Sequence, residues 1–231
     1  MPHINLDNRM KKIADCVLQG AVLADVGTDH GKLPIYLAQI GKIKRAVASD
    51  INEMPLNKAV GNVKKHGLED KIETFLTNGL VGIERFSPDC VVIAGMGGEL
   101  IEQILTDATI DKSGVSFVLQ PMTKEAHLRE YLSENGFEIY DEHIVKDRKI
   151  YQIICARYTG DKYELTPCEK LLGRINIAKS DELFGEFITK TIDMVREKCN
   201  GKKRADLNVN QELACLIELS IIKEKYYDKR K

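Results

Sequence analysis

Five short β-rich apolar runs alternate with longer amphipathic stretches: AVLADVG at 21–27, RAVASD at 45–50, IETFL at 72–76, DCVVIAG at 89–95 and VSFVLQP at 115–121. A strand that is apolar on both faces must be covered on both. A helix after each strand supplies that cover, so the alternation predicts βα units around a parallel sheet. Two further runs, FEIYDEHIV at 137–145 and KIYQIICARY at 149–158, are separated only by a short polar turn and predict an antiparallel hairpin closing one edge of the sheet. A chain of 231 residues holds one such α/β domain and a small appendage, so one active site is expected.

After Tyr158 the turn-rich segment TGDKYELTP intervenes, and the pattern beyond it is helical. This places a domain boundary between residues 1–158 and 159–231. Leu183, Phe187, Ile188, Ile192 and Val195 form one helical stripe, and Leu213, Leu216, Ile217, Ser220 and Ile221 a second. With NGKKRAD at 200–206 as the connector, the tail reads as an antiparallel, coiled-coil-like helical pair.

No apolar run approaches the roughly 20 residues that span a bilayer, and the N-terminus MPHINLDNRMKK lacks the apolar core of a signal peptide. The six cysteines are scattered without C-x-x-C pairs, which indicates neither a metal site nor a disulfide framework. Buried thiols and a cytoplasmic location are expected. A net charge of −1 argues against a surface that clings to nucleic acid everywhere.

The segment LADVGTDHGKLPIYLA runs from a strand through a glycine turn into a helix beginning near Gly31. Its pattern is G-x-x-x-G, with Gly27 and Gly31, not the G-x-G-x-x-G of dinucleotide sites. Asp25 and Asp29 flank the place where a pyrophosphate would sit, and like charges repel there. S-adenosylmethionine brings a sulfonium and an ammonium instead, which these carboxylates attract. Asp50, with Ile51 beside it, ends the next strand, where an acidic residue accepts hydrogen bonds from ribose hydroxyls. Asn78 in TNGL follows the third strand and is a candidate to meet the adenine ring or its amino group. Three polar turns at consecutive strand ends thus converge on one crevice, as ligand sites of open α/β sheets require. The expected architecture is the Rossmann-like sheet of a class I methyltransferase. His30 is a further candidate for cofactor contact, and Gly95 completes the set at the end of the fourth strand, in AGMGGELI.

The segments LDNRM, ADVGTDHGKLP, ASDINEMPL, KIETFLTNGL, VVIAGMGGELI and LQPMTKEAHLREYLSENGFEI together resemble the TrmK family, bacterial methyltransferases that modify N1 of adenine 22 in tRNA. The resemblance covers nearly the whole chain. It implies that Asp25, Gly27, Asp29, His30 and Gly31 hold the methionine end, Asp50 the ribose, and Asn78 with Gly79 the adenine surroundings. Met96, Gly97 and Gly98 would line the path to the target base, with Gln120, Pro121 and Met122 on the neighbouring strand end. Asp29 is the candidate for stabilising charge on the methylated ring. Lys202, Lys203 and Arg204, together with Lys223, Lys225, Lys229, Arg230 and Lys231, are candidates for phosphate contacts. A monomer or weak dimer binding tRNA, with no metal and no membrane association, is the expectation. Two alternatives remain open: a class I methyltransferase acting on a small metabolite or protein, and a non-catalytic S-adenosylmethionine-binding partner protein.

Overall fold

The computed structural model describes residues 4–228 and residue 230. Lys229 and Lys231, two of the phosphate-contact candidates, lie outside the described residues. Seven strands form one sheet: β1 (Ala21–Val26), β2 (Ile43–Asp50), β3 (Ile72–Leu76), β4 (Cys90–Gly97), β5 (Ser116–Thr123), β6 (Phe137–Lys146) and β7 (Ile150–Tyr158), in the order β3-β2-β1-β4-β5-β7-β6. The first five run parallel. β7 is antiparallel to β5 and to β6, so the expected hairpin closes the edge with its second strand innermost.

Alternate residues of β1 explain the apolar runs. Ala21 and Leu23 enter one core with α1 (Asn8–Cys16), α2 (Lys32–Gln39) and α3 (Glu53–Lys65), while Ala24 and Val26 enter another, with α4 (Gly98–Thr106) and α5 (Glu125–Glu134). The expected helix after β3 is only a 3-10 turn, Ile83–Phe86, which is enough to bury Ile83 and Phe86 against the second core. α1 begins with a side-chain cap, the Asp7 carboxylate accepting the Met10 N–H at 2.7 Å.

Beyond β7, α6 (Pro167–Leu172) and α7 (Arg174–Lys179) precede the long helices α8 (Phe184–Arg204) and α9 (Asn210–Asp228). The capping box Thr166/Glu169 starts α6. The α8 stripe is as expected, with Phe187, Ile188, Ile192 and Val195 buried. The α9 stripe is not. Glu212, Cys215, Leu219 and Tyr226 face inward, and Leu213, Ile217 and Ile221 are exposed. Apolar residues lie on both faces of α9, so periodicity does not choose between them. Partners do: Cys215 meets Cys168 (Sγ–Sγ 3.8 Å), Tyr226 packs on Phe184, and Glu212 is paired by Lys198 and Lys202. The connector is shorter than expected as well, because α8 continues through Arg204. Its last turn therefore carries Lys202, Lys203 and Arg204, a favourable place for cations at a helix C-terminus.

The tail hydrogen-bonds to a buried ion pair at the edge of the sheet. Arg129 Nε of α5 donates to Glu142 Oε1 of β6 at 2.7 Å, both side chains essentially without solvent contact. The remaining donors of Arg129 reach Gln152 Oε1 (2.7 Å) and Lys170 O (3.0 Å), while Glu142 Oε2 accepts the Ile175 N–H (3.0 Å). Gly173 has no room for a side chain beside Glu142. Among the described residues, no helix is long and apolar enough to cross a membrane.

Candidate functional site

β1 and β4 are neighbours, yet the chain leaves them toward opposite faces of the sheet, and this change of direction opens a crevice at their carboxyl ends. Gly27 and Thr28 donate their N–H groups to Ser49 O at 2.9 Å each, which folds the loop after β1 across the end of β2. Gly27 has φ +72°, and the terminal methyl of Met96 rests where a side chain at Gly27 would lie. An unbranched methionine there is a cover that rotates aside at low cost. Gly31, φ +70°, is the N-cap of α2, as the glycine turn predicts. His30 also takes a left-handed conformation, φ +59°, unusual for a residue with a Cβ, and its carbonyl accepts from Asn62 Nδ2 at 2.9 Å.

The carboxylates differ sharply. Asp25 is buried, accepts the Thr28 hydroxyl at 2.5 Å, and burial pushes its pKa up to about 6, against the lowering effect of Thr28; Asp29 and Asp50 add like-charge repulsion. Asp29 is exposed, and Lys32 (2.7 Å) holds its carboxyl below the ordinary range, helped by His30 and Arg9. Asp50 ends β2, its Oδ1 accepting the Asn52 N–H at 2.8 Å, and its carbonyl accepts the Thr77 N–H at 3.0 Å. That last bond sets Asn78 and Gly79 beside it. Ile51 is largely exposed. Asn78 and Gly79, together with Leu100, Gln103, Ile104 and Asp107, line a pocket of about 220 Å³.

On the β4–β5 side the expected substrate residues separate into two groups. Met96 and Met122 are partly exposed at the strand ends, and Met96 pairs with Pro121 across the sheet. A Cβ on Gly97 would crowd Thr123 Oγ1 at 3.3 Å, whereas Gly98 is buried and a Cβ there would lie 2.5 Å from Lys124 O, so its missing side chain serves helix packing. Gln120 is wholly buried. Its Oε1 accepts Arg9 Nη1 (2.6 Å) and the Gly95 N–H (3.2 Å), and its Nε2 donates to Pro121 O (2.7 Å). It therefore positions Gly95 and Arg9 and presents nothing to solvent itself.

Arg9 is the site residue that motif reasoning missed, although Asp7 followed by a basic, partly apolar run is a helix start. Its guanidinium lies over the Tyr151 ring (5.6 Å), as does Lys149 Nζ (5.2 Å), so the β6–β7 turn joins α1 at the crevice rim. Of the distal cations, Lys202 is bound to Glu212 at 2.7 Å, whereas Lys203 and Arg204 are exposed. Arg230 Nη2 donates to Ser180 O (3.3 Å), Lys223 is half-buried and Lys225 is exposed. Glu186, near the start of α8, is paired with Lys146 at the rim, so at 1.5 Å per residue the Lys203 end of that helix lies about 25 Å further along its axis. The structure does not bring Lys202, Lys203 and Arg204 together with the crevice. It does gather Cys16, His143 and Cys155, which their spacing in the sequence conceals.

Residues 6–154 match the family model described as a methyltransferase domain. The tRNA (adenine(22)-N(1))-methyltransferase of Bacillus subtilis is 35% identical over 164 residues, 70% of this chain and 68% of that one. A Streptococcus pneumoniae protein solved in complex with S-adenosyl-L-methionine superposes with a TM-score of 0.83 at 30% identity, over 95% of this chain and all of that one. Mycoplasma capricolum TrmK, solved with S-adenosyl-homocysteine, gives 0.77 at 28% identity over 97% of this chain and 98% of that one, so the likeness includes the helical tail. The chain belongs to the TrmK family of tRNA (adenine(22)-N(1))-methyltransferases.

Proposed function

We propose that this protein transfers the methyl group of S-adenosyl-L-methionine to N1 of adenine 22 in tRNA, working in the cytoplasm, with residues 1–158 as catalytic domain and 159–231 as a helical RNA-facing domain. The observation that carries the reading is the crevice itself, where three carboxylates, Asp25, Asp29 and Asp50, surround a glycine turn that has no place for a pyrophosphate. The residues fit a cationic nucleoside cofactor: Asp25 and Asp29 with Gly27, His30 and Gly31 at the methionine end, Asp50 and Ile51 at the ribose, Asn78 and Gly79 at the adenine, and Gly95 closing the floor. The cofactor supplies an electrophilic methyl group.

Adenine N1 is a neutral nucleophile with a free lone pair, so the protein needs no general base, and alignment with exclusion of water suffices. The edge carrying N1 is engaged in pairing or stacking in folded RNA, so the base must be presented unstacked. Met96, Gly97 and Met122 line its approach, Gln120 holds Arg9 at the rim, and Asp29 faces the positive charge that appears on the methylated ring. Lys149 and Arg148 on the rim, and Lys203 and Arg204 at the far end of α8, suit phosphates at two separate places on one RNA.

The test is labelled-methyl transfer to unmodified bacterial tRNA, followed by nucleoside mass analysis. We expect 1-methyladenosine, reduced at least about 100-fold in Asp50→Ala through lost cofactor binding. In Asp29→Asn, kcat is expected to fall more than cofactor affinity; in Lys203→Ala, KM for tRNA rises with kcat held. Tight cofactor binding with no methylation of any tRNA would sink the assignment.

Asp25 adds a pH dependence. Its folded pKa of about 6 lies above the unfolded carboxylate value, so the stability this group contributes is fully present below the unfolded pKa and is lost as pH rises through about 6. Holding it ionised at pH 7.5 costs the apo-protein on the order of 2–3 kcal/mol, and a cationic ligand offsets that cost. Cofactor affinity is therefore expected to weaken as pH falls through about 6, and Asp25→Asn to raise the thermal midpoint of the apo-protein at pH 7.5. Calorimetric titration at pH 5.5 and 7.5 measures this; equal affinity at both would exclude ionised Asp25 from the binding site.

A further inference from the structure

Away from the crevice, at the far end of α1, three metal-binding side chains converge from three elements. Cys16 closes α1, His143 lies on β6 and Cys155 on β7, and their ligand atoms all lie within 4.8 Å of one another. β6 and β7 pair Asp141 with Cys155 and His143 with Ile153, so His143 and Cys155 are diagonal neighbours. Cys155 is buried, while Cys16 and His143 are half-buried.

We propose that Cys16, His143 and Cys155 form a binding site for a thiophilic divalent metal ion such as Zn²⁺, with solvent in the fourth position. Bond lengths of about 2.3 Å to sulfur and 2.0–2.1 Å to nitrogen set tetrahedral ligand atoms roughly 3.5–3.8 Å apart, a contraction of at most about 1.3 Å from the observed cluster. The half-buried Cys16 side chain supplies that movement: its thiol donates to the Lys12 carbonyl (3.2 Å) within its own helix and already meets Cys155 and His143, the two groups a metal would join to it.

The surroundings are those of a ligating histidine. Asp141 Oδ2 lies 3.3 Å from His143 Nε2, and the carboxylate is fixed by the Lys179 ammonium and by the Glu142 N–H (2.7 Å). A carboxylate behind an imidazole orients the ring and raises its basicity toward a metal on the other nitrogen. Asp141 is thereby occupied as an outer partner, which leaves the fourth position to water. Binding converts both thiols to thiolates and releases their protons to solvent, so affinity rises with pH.

The site would act on the architecture, not on the methyl group. α1 carries Arg9 in its first turn and Cys16 at its last residue, so a metal joining Cys16 to β6 and β7 clamps the helix that delivers Arg9 to Gln120.

Chelator-treated, fully reduced full-length protein would be titrated with Co²⁺ and then Zn²⁺. One Co²⁺ per chain is expected to give a thiolate-to-cobalt charge-transfer band that Zn²⁺ abolishes, and Zn²⁺ to raise the thermal midpoint. Cys16→Ser and His143→Gln, both at half-buried positions, should lose the band and weaken Zn²⁺ binding about 100-fold. Cys168→Ser, which breaks the other close thiol pair, should retain both. Absence of the band in reduced wild type, its survival in Cys16→Ser, or a Cys16–Cys155 disulfide as the only product would each overturn the proposal.

Discussion

Gly27→Val is expected to abolish detectable S-adenosylmethionine binding, a loss of at least about 100-fold, while the protein stays folded. Two independent penalties act at one position. The φ of +72° is closed to a β-branched residue, at a cost on the order of 1–3 kcal/mol. The new side chain also fills the space that Met96 now covers and that a cofactor must enter to reach the carbonyl end of β1. The loop relieves the strain by leaving Ser49 O, its acceptor for two N–H groups, and that moves Asp29 and His30 with it. Isothermal titration with S-adenosyl-homocysteine, beside a thermal melt, measures both effects. Affinity within threefold of wild type would place the cofactor somewhere other than this turn.

Arg129→Met is expected to have the largest effect on stability, about 3–5 kcal/mol, because it strands Glu142 as a buried anion with only the Ile175 N–H for company. For a chain of this size that corresponds to a fall in thermal midpoint of roughly 10 °C. Adding Glu142→Gln should recover a substantial part, since the stranded charge is then gone. A midpoint within 2 °C of wild type would refute the account. The same joint determines how the tail can be studied. Removing residues 159–231 deprives Arg129 of Lys170 O and Glu142 of Ile175 N, and uncovers Ile144. A truncation would therefore report stability before it reported RNA binding, and single charge changes at Lys203 or Arg204 are the cleaner probe.

What could be read from the sequence was what depends on neighbours in the chain. Ala21–Val26 announces a doubly covered strand because each residue must satisfy one of two cores, and the Gly27–Gly31 turn declares its charge preference by carrying Asp25 and Asp29. Features created by distant contacts stayed hidden. Arg9 acquires its place only when α1 lies beside β5 and β7, and Gln120 becomes a buried organiser because Arg9 and Gly95 both bond to it. Cys16, His143 and Cys155 share no spacing rule, since a sheet and a helix assemble them. On α9 two apolar faces compete, and Cys168, Phe184 and the lysines of α8 decide between them.

The strand order β5-β7-β6 also has a bearing on synthesis. β6 emerges from the ribosome before β7, yet in the finished sheet it bonds only to β7, and of the two only β7 bonds to β5. Until Tyr158 has been made, the β5 edge stands open with unpaired N–H and C=O groups, a template for the wrong partner. The buried arginine then waits for Lys170 and Ile175 to leave the exit tunnel. A nascent chain that already contains all five parallel strands is thus still unfinished, and the interval between completion of β5 and emergence of Ile175 is when this sheet is most exposed to misassembly.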